Sequence, residues 1–389
     1  MNEHTADVAV IGAGAVGAAC AYWAARAGLG VLLLDAGMPT AGTSGACSGL
    51  IAIGTKKPGI GMALAAETKR LYPEVVADLP FAVDYHPVDL MMLIENEAIL
   101  PHLQPYLSNA LAEGYALAER NEAETRRLEP DLGRGILGSV LSPEASVSPF
   151  RMALGLAAGA VKHGARTLWQ APVEAIEVAG GAVTGLKTAP GPVRAAQYVL
   201  ACGVWSASVG ALAGLNLPVV PRRGEVVVTA RCPGLIRHYL MSASSMVVKN
   251  LPSLAETSND PLMRRGGGLG AHLNPLGQCL LGTTRSFEGM DRRSTAIGVS
   301  AILAAALQRL PALARVRVLR CFAGLRPHSP DGNPMIGRSE RVQNMLVATG
   351  HDGDGISLSV VTGRLIARLL KGEPPGLDLT ALNPDRFAA

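Results

Sequence analysis

Three glycines spaced Gly12-x-Gly14-x-x-Gly17, with Asp35 twenty-three positions beyond the first, speak most directly of chemistry in this chain. A tight turn needs the first glycine, a phosphate approaching the backbone needs the second, and a helix packed closely on a strand needs the third. Unpaired N–H groups at the helix start favour the negative phosphates. Asp35 has the spacing of a ribose-binding carboxylate. Ala15 and Val16 lie within the turn and Ala36 follows the carboxylate, so they join the same set. The pattern predicts a bound dinucleotide.

The elements that must position these residues can be read around them. Asp7-Val-Ala-Val-Ile11 is an apolar strand running into the glycines, a helix follows, and Gly30-Val-Leu-Leu-Leu-Asp35 is a second strand. Residues 8 to 25 form eighteen uncharged positions, a length that also fits a membrane span. The glycines and the return to Arg26 argue against that, and no membrane span is expected.

At 389 residues the chain exceeds a single typical core. Hydrophobic content of 49% with 17% charged residues describes a globular protein rather than a disordered one. A net charge of +4 without a basic run or basic-aromatic stripe excludes nucleic acid as the expected partner and mildly favours anionic substrates. The six cysteines have neither CxxC pairing nor metal-ligand spacing, so free thiols and no metal are expected. The N-terminus has no cationic leader pattern, which points to the cytoplasm.

Further along, residues 61 to 79 read as a helix, with Tyr72-Pro73 marking a boundary or kink. Residues 81 to 95 are strand-like, and a polar helical stretch runs to about Leu128. Ser148-Pro149 opens another helix, Ser148 serving as N-cap, that ends at Gly164. Val173–Val178 and Ala182–Lys187 form a hairpin about Gly180-Gly181. Tyr198–Gly203 is a short strand ending in small residues, and Glu225–Thr229, Ser245–Lys249 and Gln278–Gly282 read as strands. Residues 250 to 268 are a long turn-rich loop, expected to be mobile. Residues 295 to 310 are helical, and Leu346–Gly350 followed by Val360–Leu370 repeats the strand–glycine–helix order of the N-terminus.

Five segments in this order carry a resemblance: the N-terminal fingerprint; Thr43-Ser-Gly-Ala-Cys-Ser-Gly-Leu50; Ala201-Cys-Gly-Val-Trp-Ser206; Pro221-Arg-Arg-Gly-Glu225; and Ala323-Gly-Leu-Arg-Pro327 with Asp331-Gly-x-Pro334 and Gly350-His-Asp-Gly-Asp-Gly-Ile356. Over nearly the whole chain the sequence resembles the FAD-dependent D-amino-acid-oxidase-like family, of the glycine oxidase, sarcosine oxidase and amine dehydrogenase flavin-subunit type. The resemblance implies an α/β fold, with a Rossmann-type FAD-binding domain from residues 1–80, 145–215 and 320–389. A discontinuous antiparallel-sheet substrate domain would take residues 81–144 and 216–319.

By the same resemblance, Thr43 and Ser44 offer hydroxyl donors to the pyrophosphate or ribitol, and Cys47, Ser48 and Gly49 let the backbone lie against the flavin. The backbone near Leu50 approaches flavin N5, and Val173 holds the adenine. Ala201, Gly203, Trp205 and Gly324 also line the cofactor. Gly353, Asp354, Gly355, Ile356 and Ser357 set N–H groups along the far edge of the flavin. Arg326 grips the substrate carboxylate, for which a bidentate, permanently charged guanidinium is suited; the structural alternative is a salt bridge to a carboxylate of the protein. Where relatives carry a tyrosine, on the strand Gly268–Leu273, this chain has none, which implies a larger pocket. His272 there is either a polar substitute or a surface residue. His351 is expected to fix its loop and Cys321 to pack in the core.

The implied reaction is oxidation of a Cα–N bond of glycine or an N-substituted glycine by hydride transfer to flavin N5, followed by imine hydrolysis. Arg326, His272 and Leu50 are the candidate catalytic set. The acceptor is O2, or partner subunits if the chain is the flavin subunit of a heteromeric opine, hydroxyproline or cyanide-forming amine dehydrogenase. Homo- and hetero-oligomers both remain open. A flavoprotein acting on a tRNA base is disfavoured by the missing basic patch.

Overall fold

The computed structural model describes residues 3–56, 59–250, 253, 258 and 260–387, with the side chains of 249 and 250 excepted. Most of the 251–259 part of the expected mobile loop therefore lies outside the described residues. Two sheets organise the rest. The first has the order β16-β17-β10-β1-β2-β7, built from β1 (His4–Ile11), β2 (Val31–Leu34), β7 (Arg166–Leu168), β10 (Val193–Leu200), β16 (Met335–Arg338) and β17 (Met345–Thr349). Neighbours pair in parallel from β17 to β7, and β16 closes the edge antiparallel. The hairpin β8 (Val173–Ala179) and β9 (Ala182–Thr188) hangs from β10.

Alternation along β1 explains its central place. Val8 and Val10 face one apolar cluster and Ala9 and Ile11 the other, as a strand covered on both sides requires. One face is covered by α1 (Ala15–Arg26), α5 (Pro149–Lys162) and α9 (Gly355–Leu370). Small residues set their spacing: a Cβ on Gly363 of α9 would run into the Ala19 carbonyl of α1, and one on Gly159 of α5 would stand 3.0 Å from Tyr22. The uncharged run of residues 8 to 25 thus divides into the end of a strand, a glycine turn and a helix. No helix among the described residues is long and apolar enough to cross a membrane.

The second sheet has the order β15-β11-β14-β13-β12-β4-β6-β3. Its strands are β3 (Leu50–Ile51), β4 (His86–Ile94), β6 (Gly138–Ser146), β11 (Val220–Arg231), β12 (Tyr239–Ser242), β13 (Gly270–Leu273), β14 (Gln278–Gly282) and β15 (Val318–His328), with β5 (Ala118–Asn121) on β6. All pairs are antiparallel except β12 with β4. Behind it, α8 (Ala296–Arg309) buries Ala301, Ile302, Ala305 and Ala306 against Val227 and Leu281. The boundary drawn at residue 320 runs through β15, whose Cys321–Arg326 stretch is part of this second sheet.

Several elements differ from the sequence expectation. The strand expected at 245–249 is helix α7 (Ala243–Asn250), whose Met246 and Val247 pack with Leu103 and Leu107 of α3 (Leu100–Ala112). Tertiary packing overrides the β-branched run. The polar helical stretch is two helices, α3 and α4 (Glu122–Leu128), separated by β5; the Asn121–Glu124 capping box restarts the second. Pro73 neither ends nor divides α2 (Ile60–Asp78). Ser148 does occupy the N-cap position of α5, but its side chain caps nothing. A short α6 (Ser206–Ala211) follows β10.

Because α1 and α9 meet through Gly363, Gly363→Ala is expected to lower stability by about 1–3 kcal/mol, the cost of overpacking. Gly61→Ala, a helix position with open space around it, should instead be neutral or stabilising by about 0.5–1 kcal/mol. Chemical denaturation of both variants beside the parent checks the contrast.

Candidate active site

The C-terminal ends of β1, β2, β10 and β17 converge on a cleft of about 580 Å³, the place where an open parallel sheet binds ligands. Its floor is the glycine turn. Gly12 has φ +107, and a Cβ there would lie 2.5 Å from the Ala201 carbonyl oxygen. Gly17 does not line the cleft; a Cβ on it would land on the Gly12 carbonyl, so its task is to let α1 start against the turn. Gly14 is the N-cap of α1, with no side-chain cap and no acidic residue in the first turn. That leaves the positive end of the helix uncompensated by charge of its own. Asp35 accepts from the Ala13 N–H at 2.7 Å and the Gly37 N–H at 2.8 Å. Each oxygen keeps a further lone pair for a ribose hydroxyl.

Gly14, Ala15, Val16, Asp35, Ala36, Thr43, Ser44, Cys47, Ser48, Val173, Ala201, Gly203, Trp205, Gly324, Arg326, Gly353, Gly355 and Ile356 all line this one cleft. Thr43 does so differently from expectation. Its hydroxyl proton is donated to the Leu325 carbonyl, which makes it a brace between the 43–47 turn and β15 rather than a donor to phosphate. Ser44 Oγ accepts from the Ala15 N–H at 2.9 Å, so its own O–H is still available. Gly49, with φ +84, does not line this cleft but shapes the turn into β3, where a Cβ would strike the Val147 carbonyl. Ser357 is buried in α9 and lines neither cavity.

Beyond Arg326 the cleft opens into a second cavity of about 170 Å³. Ser48, Thr283, Arg326, Asp352 and Gly353 border both, whereas Leu50, His272 and Asp354 belong to the second alone. Arg326 stands at the junction. Its Nη2 donates to Thr283 Oγ1 at 2.7 Å and its Nη1 to the Thr284 carbonyl at 3.2 Å. Across the β11–β15 pair lies Gly224, where a Cβ would overlap the guanidinium. Among the described residues no carboxylate lies within salt-bridge distance of Arg326, so the alternative of a protein counter-ion does not hold there. Burial pulls its pKa below the ordinary arginine value.

The acids nearby are already engaged. Asp354 meets the buried Lys56 at 2.5 Å, and Asp352 pairs with the buried Arg222. Neither Lys56 nor Arg222 stood out in the sequence; the Pro221–Glu225 segment held the signal for Arg222 without its partner.

His272 is not a surface residue. It is 7% exposed and stacks on Tyr239 of the neighbouring strand, ring centroids 4.5 Å apart and planes 8° from parallel. That stack corrects the expectation of a missing aromatic. Tyr239 sits opposite His272 across β12 and β13 and fills the cavity from one strand over, its hydroxyl donating to Ser48 Oγ at 3.3 Å. Burial pushes the Tyr239 phenol up to about 12 and holds His272 down at about 4, so both are neutral at pH 7. His351 is also buried, at about 4 for the same reason, with Nε2 at 3.0 Å from Thr362 Oγ1 of α9. Cys321 packs at the edge of the second sheet's core and lines neither cavity.

A family model described as "FAD dependent oxidoreductase" matches residues 7–369. The chain belongs to that family. FAD is its cofactor, and the cleft suits it: a helix start with no acidic residue in its first turn beside a glycine turn, Asp35 at one end and Arg326 at the other. Among relatives, the hydrogen cyanide synthase subunit HcnC of Pseudomonas protegens is 27% identical, covering 100% of this chain and 97% of that protein. The glycine oxidase of Bacillus licheniformis is 26% identical, covering 95% and 94%. The crystal structure of glycine oxidase from Geobacillus kaustophilus superposes with a TM-score of 0.87 at 25% identity, covering 99% of this chain and all of that one.

The two buried histidines give a pH prediction. Each has a folded pKa of about 4 against an ordinary 6.5. The unfolded chain therefore takes up the protons first, and stability present above pH 6.5 is lost as pH falls toward 4. Each site contributes on the order of 3 kcal/mol over that window. Denaturant midpoints should fall between pH 6.5 and 4, and the fall should be shallower in His351→Gln.

Proposed function

We propose that this chain oxidises the Cα–N bond of a small carboxylated amine, glycine or an N-substituted glycine, to an imine that water then hydrolyses. The observation that carries the reading is Arg326: a half-buried guanidinium at the junction of cofactor cleft and second cavity, with no carboxylate of the described residues within salt-bridge distance. Leaving a buried cation unpaired costs several kcal/mol, and a substrate carboxylate removes that cost. The bound flavin supplies a two-electron acceptor.

Everything else asked of the protein is positioning. Thr283 and the Thr284 carbonyl hold the guanidinium plane, leaving other N–H groups for both oxygens of a carboxylate. The amine then lies near the Arg326 charge and the uncharged His272–Tyr239 pair, surroundings that disfavour its protonated form. The neutral amine is the form that can be oxidised. Leu50, Tyr239 and Met241 wall the cavity and restrict water while the substrate is held. No base is required at the carbon.

A second reading concerns the acceptor rather than the site. The HcnC relatives, named as subunits of a synthase, match this chain over its whole length, which supports electron transfer to partner subunits beside transfer to O2. Hydrogen peroxide formed stoichiometrically with product by the purified chain identifies an oxidase. Flavin that is bleached by substrate yet reoxidised slowly in air identifies a dehydrogenase.

Arg326→Ala is expected to raise KM for the carboxylated amine by about 10²–10³, the loss of a charge-assisted bidentate pair, while FAD stays bound. Anaerobic bleaching at increasing amine concentration measures this. A variant that loses its flavin instead would move Arg326 from the substrate to the cofactor.

A further inference from the structure

The second cavity holds another cation that the reading above does not use. Arg285, just past β14, lines it together with Arg326. Its Nη1 donates to the Gly266 carbonyl at 2.7 Å, which anchors one corner of the guanidinium and leaves the other donors free of protein acids. Among the described residues no carboxylate stands within salt-bridge distance of Arg285. Burial and the neighbouring charges of Arg326 and Arg222 push Arg285 down to about 9, so it remains protonated at neutral pH.

The charges around the cavity can be counted. Arg285, Arg326, Arg222 and Lys56 contribute four positive charges; Asp352 and Asp354 contribute two negative ones, paired with Arg222 and Lys56. His272 is neutral. Among the described residues two positive charges remain, on the two guanidiniums that face the same space. A monocarboxylate compensates one of them and leaves the other, half-buried, without an ion partner, an arrangement that is costly where water is restricted. A dianion compensates both.

We propose that the substrate is an imino dicarboxylate, a secondary amine with one carboxylate on the carbon to be oxidised and a second on its nitrogen substituent. Arg326 holds the first and Arg285 the second. This rests on the reading of the cavity as the amine site, and it deepens that reading by assigning Arg285 as the residue that sets specificity. Oxidation of such a compound removes two electrons and two protons from the CH–NH unit. Addition of water to the resulting imine then releases an oxo acid and an amino acid.

The FAD-loaded protein tests this with two pairs of probes. Iminodiacetate against N-methylglycine reports turnover, and diglycolate against methoxyacetate, ethers that cannot form an imine, reports binding through perturbation of the flavin spectrum. The expected result is a preference of about tenfold to a hundredfold for the dicarboxylate in each pair. Arg285→Gln should collapse both ratios toward one, and Arg285→Lys should recover part of them. Equal or better use of N-methylglycine would overturn the dianion while leaving amine oxidation standing. Preference for diglycolate without any amine turnover would support the dianion site and overturn amine oxidation. A preference for aspartate over alanine without one for iminodiacetate would move the second carboxylate to the side chain and overturn the imino assignment.

Discussion

The joint between the two sheets is made of backbone, and the cleft exists because that joint is so close. Gly324 of β15 lies against the Ala46 carbonyl, where any side chain would collide, and Thr43 is tied to the next carbonyl of β15. The turn that follows the first sheet is thereby clamped to the strand that carries Arg326. A larger residue at 324 would part the two surfaces and separate the glycine turn from the guanidinium. A cofactor long enough to touch both ends is therefore held by two sheets whose relative placement depends on contacts between small residues.

Charge is arranged as tightly as shape. Within the second cavity each acid has its own buried base, Asp354 with Lys56 and Asp352 with Arg222. These pairs cost desolvation, and they do not neutralise the site. They leave Arg326 and Arg285 as the surplus. The stacked His272 and Tyr239 add polar atoms without adding charge, because burial keeps both rings neutral. Selectivity in such a site comes from the cost of leaving a cation uncovered as much as from attraction to the right ligand.

Much of this was legible in the residues. Glycine spacing located the turn because few other sequences can make it, and a carboxylate at the end of β2 follows from the same geometry. Arg326 was visible inside its short apolar run. Tyr239 and Arg285 were not, since each reaches the cavity from a neighbouring strand or loop whose register only the folded sheet defines. Lys56 and Asp354 are 298 positions apart and no local pattern links them. Helix α7 reads as a strand for a related reason: Met246-Val-Val248 has β-branched character, and only the facing apolar surface of α3 decides otherwise. The family resemblance points Thr43 at the cofactor, yet its partner is a carbonyl 282 positions away.

The first sheet draws its strands from the beginning, middle and end of the chain. β1 is flanked by β2 and β10, and β10 in turn needs β17 at residues 345–349. Sequence separations of this size make such pairings slow to find, because long loops must close before the contacts reward them. The glycine turn after β1 therefore precedes by a long stretch of chain the ends of β10 and β17 that wall its cleft. The cleft that suits FAD has both walls only where β10 and β17 have joined β1, so it depends on the most distant pairings of the sheet.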